Sequence, residues 1–122
     1  MGEQISWQVE LYVKPDQLEA VRALSREMID STKSETGTLI YERFVSDNGE
    51  IVQVFERYID SAAAVAHLNA FVGLYGDRLA KMVVRKRFAV FGTPSPELKE
   101  ILDQFGATYF APLAGFSRTG RE

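Results

Sequence analysis

The chain has 122 residues, of which 46% are apolar and 25% charged, and a formal net charge of -3. That is enough for one buried core and too short for two ordinary domains, and its interspersed charges exclude both a disordered tract and a surface built for nucleic acid. With no cysteine and one histidine, disulfides, thiolate metal centres and histidine-cluster metal sites are excluded, so no metal site is expected. A reducing, cytoplasmic setting is the expectation. No run approaches the ~20 apolar residues of a membrane span, the start lacks the basic-then-apolar pattern of an export signal, and no membrane partner is expected. Met1-Gly2-Glu3-Gln4-Ile5-Ser6 fits the bare myristoylation pattern, but the acidic Glu3 and a strand pattern already under way at Ile5 argue against that use.

From Ile5 to Val13 the residues alternate, with Ile5, Trp7, Val9, Leu11 and Val13 on one side, and this period of two predicts a strand with one apolar face. Lys14-Pro15-Asp16 stops it. Pro15 suits the first position of a helix, where its missing N–H would be unpaired anyway, with Asp16 and Glu19 near the positive end of the dipole. Leu18, Val21, Leu24, Met28 and Thr32 recur at helical spacing, and Ser34-Glu35-Thr36-Gly37 ends the run.

Residues 38–46 and 51–58 are two β-rich runs joined by Asp47-Asn48-Gly49-Glu50, a strong hairpin signal. Position 46 then faces 51, which sets Val45 opposite Val52, Arg43 opposite Val54, Tyr41 opposite Glu56 and Leu39 opposite Tyr58. One face carries Leu39, Tyr41, Val45, Val52, Val54, Glu56 and Tyr58. The other carries Ile40, Phe44, Ile51 and Phe55 among Glu42, Gln53 and Arg57, so both faces want cover.

Asp60 can cap a second helix running to about Val72, with Val65, Leu68, Phe71 and Val72 sharing its inner side and His67 at the border of that stripe. Residues 74–82 suggest a short irregular helical extension, and Arg87 to Phe91 a fourth strand closed by Gly92. Ser95-Pro96-Glu97 opens a third helix, with Leu98, Ile101, Leu102 and Phe105 inward and Gly106 as its stop. The run from Thr108 to Phe116 contains Pro112, which confines it to an edge strand or a bulge, and the tail from Ser117 is polar and expected to be loose.

The order strand, helix, strand, strand, helix, strand, with an appended helix and strand, predicts an α+β, ferredoxin-like fold. It is expected to form one domain over residues 1–122, its core at about 5–92 and its extension at about 93–118. Two helices cover one face of a four-stranded sheet, so the apolar residues on the other face call for a partner, most simply a face-to-face homodimer.

Among candidate functional residues, His67 is the one imidazole, the side-chain type that in its unperturbed form exchanges a proton near neutrality, and it stands beside an apolar stripe, so it is a candidate proton acceptor; the plainer reading is a half-exposed histidine with a local hydrogen bond. Tyr41 and Glu56, opposite each other in the hairpin, form a phenol–carboxylate pair that either orients a substrate or only stabilises the strands. Trp7, Val9 and Leu11 either line a pocket between sheet and helices or fill the core, and of the three Trp7 is retained as a substrate contact. Phe71 and Tyr75 follow His67 by one and two turns and can wall the same space. Arg85-Lys86-Arg87 reads as a solvated strand edge and is assigned no site.

Glu35-Thr36-Gly37-Thr38-Leu39-Ile40-Tyr41-Glu42, the later Phe55-Glu56-Arg57-Tyr58-Ile59-Asp60, His67 on the helix that follows, and Val13-Lys14-Pro15 after the first strand together resemble the antibiotic biosynthesis monooxygenase family over roughly residues 5–92. Residues Ser95 to Arg118 resemble an extension found in some members. The resemblance implies a dimeric α+β barrel and cofactor-independent oxygenation of an electron-rich aromatic, a quinol or polycyclic phenol. There an apolar pocket holds the phenol, a base takes its proton and the anion passes an electron to O2 with no metal or flavin. On this reading His67 is the catalytic residue, and Trp7, Tyr41, Glu56 and Phe71 contact the substrate. A haem-degrading branch shares the fold and uses a first-strand asparagine and a histidine late in the second helix; Val9 and the early position of His67 argue against that branch. The absence of GxGxxG, GxSxG, P-loop and histidine-cluster motifs fits cofactor-free chemistry and fits equally a non-catalytic small-molecule-binding or stress-related dimer.

Overall fold

A computed structural model describes residues 3–118. The glycine of the myristoylation pattern and the last residues of the polar tail lie outside the described residues. Strand β1 (Ile5–Val13), helix α1 (Leu18–Thr32), hairpin strands β2 (Thr38–Val45) and β3 (Ile51–Tyr58), helices α2 (Ser61–Leu74) and α3 (Gly76–Ala80), strand β4 (Val83–Phe91), helix α4 (Pro96–Gln104) and strand β5 (Thr108–Phe110) follow in chain order. The strands form one open sheet in the order β2-β3-β1-β4-β5, antiparallel except for the β4–β5 pair. This is the expected α+β, ferredoxin-like arrangement. The sheet is not closed into a barrel.

The alternation in β1 puts Ile5, Trp7, Val9 and Leu11 under the helices, all buried, against Val52, Val54, Glu56 and Tyr58 of β3 and Phe88 and Val90 of β4. Asp60 caps α2 by accepting the Ala63 N–H at 2.9 Å, and Ser95 caps α4 by accepting the Leu98 N–H at 3.1 Å, with Pro96 in the first turn. Helix α4 is no loose appendage: Leu98 and Leu102 are fully buried and Phe105 stacks on Phe88, with ring centroids 5.7 Å apart. Burying side chains of this size contributes about 1.5–3 kcal/mol each.

Five expectations are corrected. Pro15 is not a first helical residue: it sits in a turn in which Gln17 N donates to Lys14 O at 3.1 Å and Asp16 takes φ 64°, a left-handed conformation that aspartate tolerates, and α1 starts only at Leu18. The hairpin register holds from Val45↔Val52 to Tyr41↔Glu56, but a bulge between Thr38 and Ile40 sets Thr38, not Leu39, opposite Tyr58. Strand β4 begins at Val83, taking in the basic run, while β5 ends at Phe110, two residues before the proline that cannot donate to a ladder. On α2 the inner side is Ala64, His67 and Leu68, with Phe71 half-buried, whereas Val72 is 54% exposed, so the stripe is centred about a residue earlier than the large side chains suggest.

The helices cover one face. On the other, Tyr12, Phe44, Phe55, Val84, Phe91 and Phe110 are substantially exposed, and beyond β5 so are Leu113 and Phe116. Among the described residues no helix is long and apolar enough to cross a membrane.

Candidate active site

Residues two apart on a strand share a face, so Glu56 and Tyr58 of β3 both point under α2. Tyr58 donates its hydroxyl to Glu56 Oε1 at 2.5 Å, and both side chains are buried. One turn of α2 beyond its buried Ala64, His67 enters the same space with only 4% of its surface exposed. Its Nδ1 lies 2.9 Å from Glu35 Oε1 and its Nε2 3.7 Å from Glu56 Oε1. A carboxylate can only accept, so the proton of the neutral ring is on Nδ1 and Nε2 keeps a free lone pair; the contact with Glu56 is too long for a hydrogen bond. Arg43 of β2 brings Nη2 to 3.9 Å from the other oxygen of Glu56, and its guanidinium lies 3.9 Å over the Tyr41 ring.

Glu35 reaches the imidazole because its loop packs hard against α2. A Cβ on Gly37 would stand 2.6 Å from the Ala63 Cβ, so a side chain there would push the loop away. Thr38 Oγ1 donates to the same Glu35 oxygen at 3.0 Å, which fixes the carboxylate that fixes the ring. Burial, and after it the charge of Glu56 and the bond donated to it, hold the Tyr58 hydroxyl far above the ordinary phenol range; burial first and then Glu56 raise Tyr41 as well. Both phenols therefore remain donors at any physiological pH.

These groups border a cavity of about 80 Å³ between sheet and helices, walled by Trp7, Phe71, Phe88 and Phe105, with Ser25, Arg43, Glu56, His67 and Arg85 as its polar lining. An apolar chamber with a few convergent polar atoms is the ordinary form of a small-molecule site. The expected residues Trp7, Glu56, His67 and Phe71 converge on it. Tyr41 does not line it: it stands edge-on to His67, with ring centroids 5.1 Å apart, covered by Arg43. The phenol bonded to Glu56 is Tyr58, its neighbour along the strand, and not Tyr41, its neighbour across it. The half-exposed reading of His67 is likewise overturned by its burial.

Sequence reasoning missed Glu35, Arg43, Tyr58, Phe105 and Arg85 as parts of this region, the last having been set aside as a solvated edge although it lines the cavity. Glu35 had one usable signal, since it stands two residues before the glycine that leads directly into β2. Arg43 had another, being the one cation on an inner hairpin face whose other charged residue is Glu56.

The sequence profile of the antibiotic biosynthesis monooxygenase family matches residues 5–71, more than half of the chain, and the chain belongs to that family. No protein of curated function matches it by sequence. Among solved structures it is similar to MupZ from Pseudomonas fluorescens, with 25% identity over 97% of both chains and a TM-score of 0.81, a match long enough to include α4 and β5. Rv0793 from Mycobacterium tuberculosis shares the fold at 24% identity over 75% of this chain and 96% of its own, with a TM-score of 0.65. So does a Nitrosomonas europaea protein whose assignment as an antibiotic biosynthesis monooxygenase is itself an inference, at 23% identity over 79% of this chain and 95% of its own, with a TM-score of 0.67.

Proposed function

We propose that this protein is a monooxygenase for a quinol-like or polycyclic phenolic aromatic, acting without a cofactor as a homodimer, with His67 as the proton acceptor. Family membership supports the reaction class. The observation that carries the reading is the orientation of His67, whose Nδ1 is held by Glu35 while its free Nε2 faces Glu56 at the edge of an aromatic-walled cavity.

The substrate's hydroxyl gives its proton to Nε2, and the Glu56 carboxylate lies close enough to stabilise the charge that appears there. The phenolate passes an electron to O2, and the radical pair combines into a peroxide on a ring carbon that bears a hydrogen; the peroxide takes back the proton from Nε2. Loss of water then leaves a carbonyl: one oxygen atom stays in the product, the other leaves as water, and the substrate supplies all four electrons. The protein's part is to orient the phenol, exclude water and hold the proton. Pairing through the uncovered aromatic sheet face gives the homodimer.

The test mixes chelator-treated protein with a panel of naphthohydroquinones and anthrones while O2 uptake is followed. Uptake that disappears in a folded, dimeric His67→Ala variant supports the proposal. Binding across the panel with no uptake favours the non-catalytic small-molecule-binding or stress-related dimer instead.

A further inference from the structure

Nη1 of Arg43 is a polar atom at the cavity that nothing among the described residues satisfies. The Arg43 side chain is 12% exposed, and this nitrogen is buried. The residue is anchored by strand pairing to Val54, and its plane is fixed against the Tyr41 ring at 3.9 Å. Nη2 approaches Glu56 only to 3.9 Å, beyond hydrogen-bond range, so the guanidinium is positioned by that carboxylate without being saturated by it. A buried guanidinium N–H left without an acceptor is costly and asks for one.

We propose that Nη1 of Arg43 binds a carbonyl oxygen of the substrate. The inference rests on the cavity being the substrate site and narrows its substrate class. Ligands then carry a hydroxyl for His67 and a carbonyl for Arg43, the two protein groups lying within 4 Å of opposite oxygens of the same Glu56.

Charge selects the kind of oxygen. Arg43 and Arg85 at the cavity already stand against Glu56 and, behind His67, Glu35, so a carboxylate on the ligand would add an unmatched charge, whereas a neutral carbonyl adds none. When that carbonyl is conjugated with the hydroxyl, removal of the proton spreads negative charge onto the oxygen that Nη1 holds. The bond is therefore stronger to the anion than to the bound neutral molecule, which is the condition for it to assist the reaction.

Two phenols that differ only in this group decide the matter by calorimetric titration under nitrogen: 4-hydroxyacetophenone, and 4-ethylphenol, in which a methylene replaces the carbonyl. Wild-type protein should bind the ketone roughly tenfold to a hundredfold more tightly, and Arg43→Met should bind the two about equally. Equal affinities in the wild type, no measurable ketone binding, or a preference undiminished in Arg43→Met would overturn the proposal. If Arg43→Met does not fold, the carbonyl stretch of 13C-labelled ketone on wild-type protein decides: lowered from its value in an apolar solvent if Nη1 donates, unshifted if it does not. Neither ligand needs to turn over, so a protein that consumes no O2 would leave this test intact.

Discussion

The two faces of the sheet share one alternating pattern and end in opposite conditions. On the inner face the polar residues Arg43, Glu56 and Tyr58 are roofed by α1 and α2 among buried apolar neighbours, and each sits in a fixed relation to another charge or donor. On the outer face the polar residues form a ladder, Gln8 donating to Gln53 at 3.1 Å and Gln53 to Glu10 at 2.9 Å, flanked by the aromatic pairs Phe44/Phe55 and Phe91/Phe110 at half exposure. Burial makes the difference: a misplaced polar group is costly inside, so the inner set is fit for chemistry, while the outer set combines a satisfied amide ladder with apolar surface that favours association.

Breaking the inner face should give the largest effect. His67→Ala is expected to lower the O2-uptake rate by about 10²–10⁴-fold with the fold retained, as read by initial rates and circular dichroism on one preparation. Gly37→Ala acts on the same contact indirectly, since the added methyl meets the Ala63 Cβ. Chemical denaturation should show a loss of about 1–3 kcal/mol, together with a fall in the O2-uptake rate as Glu35 is drawn from the imidazole. Tyr58→Phe leaves the bonded oxygen of Glu56 without its donor and should cost about 1–3 kcal/mol by the same method.

The outer face is broken by charge. Phe55→Glu combined with Phe91→Glu should convert a dimer into a monomer by light scattering, while leaving the binding of a phenol in the cavity largely as it was. A monomeric wild type would remove this half of the comparison.

The smallest effect concerns the extension. Tyr109 donates to Asp103 Oδ1, which holds that exposed carboxyl below its usual range, and partial burial followed by the Asp103 bond and charge pushes the Tyr109 hydroxyl up to about 12. A lowered carboxyl contributes fully above its ordinary 3.8 and loses that contribution as pH falls through its folded value; a raised phenol contributes fully below its ordinary 10.0 and loses it as pH rises through about 12. Tyr109→Phe should therefore lower the melting temperature slightly and by a constant amount from about pH 5 to 9, with the difference fading at either extreme.

Much of this arrangement is written locally in the sequence. The Asn48-Gly49 turn fixes the hairpin register, so Tyr41↔Glu56 follows from counting, and the caps at Asp60 and Ser95 place two helix starts. The stripe on α2 is harder to read because its first turns are mostly alanine. They give little contrast, the few large residues set the phase a residue late, and His67 looks like a border residue although Ala64 beside it is fully buried. The Leu39 bulge leaves no mark on an alternating pattern. Glu35 and Arg43 carry charges that read as solvent-facing; the approach of Gly37 to Ala63 brings the loop of Glu35 against α2, and the alternation of β2 sets Arg43 on the inner face beside Tyr41.

His67 is the chain's sole histidine, so 15N-histidine labelling of protein without a histidine tag gives one imidazole to observe. Under nitrogen, the spectrum should show a proton on Nδ1 and a lone pair on Nε2. Addition of a bound naphthohydroquinone should protonate Nε2 as the absorbance of the ligand's anion appears. An imidazole unchanged by a ligand that stays fully protonated in the cavity would contradict the account.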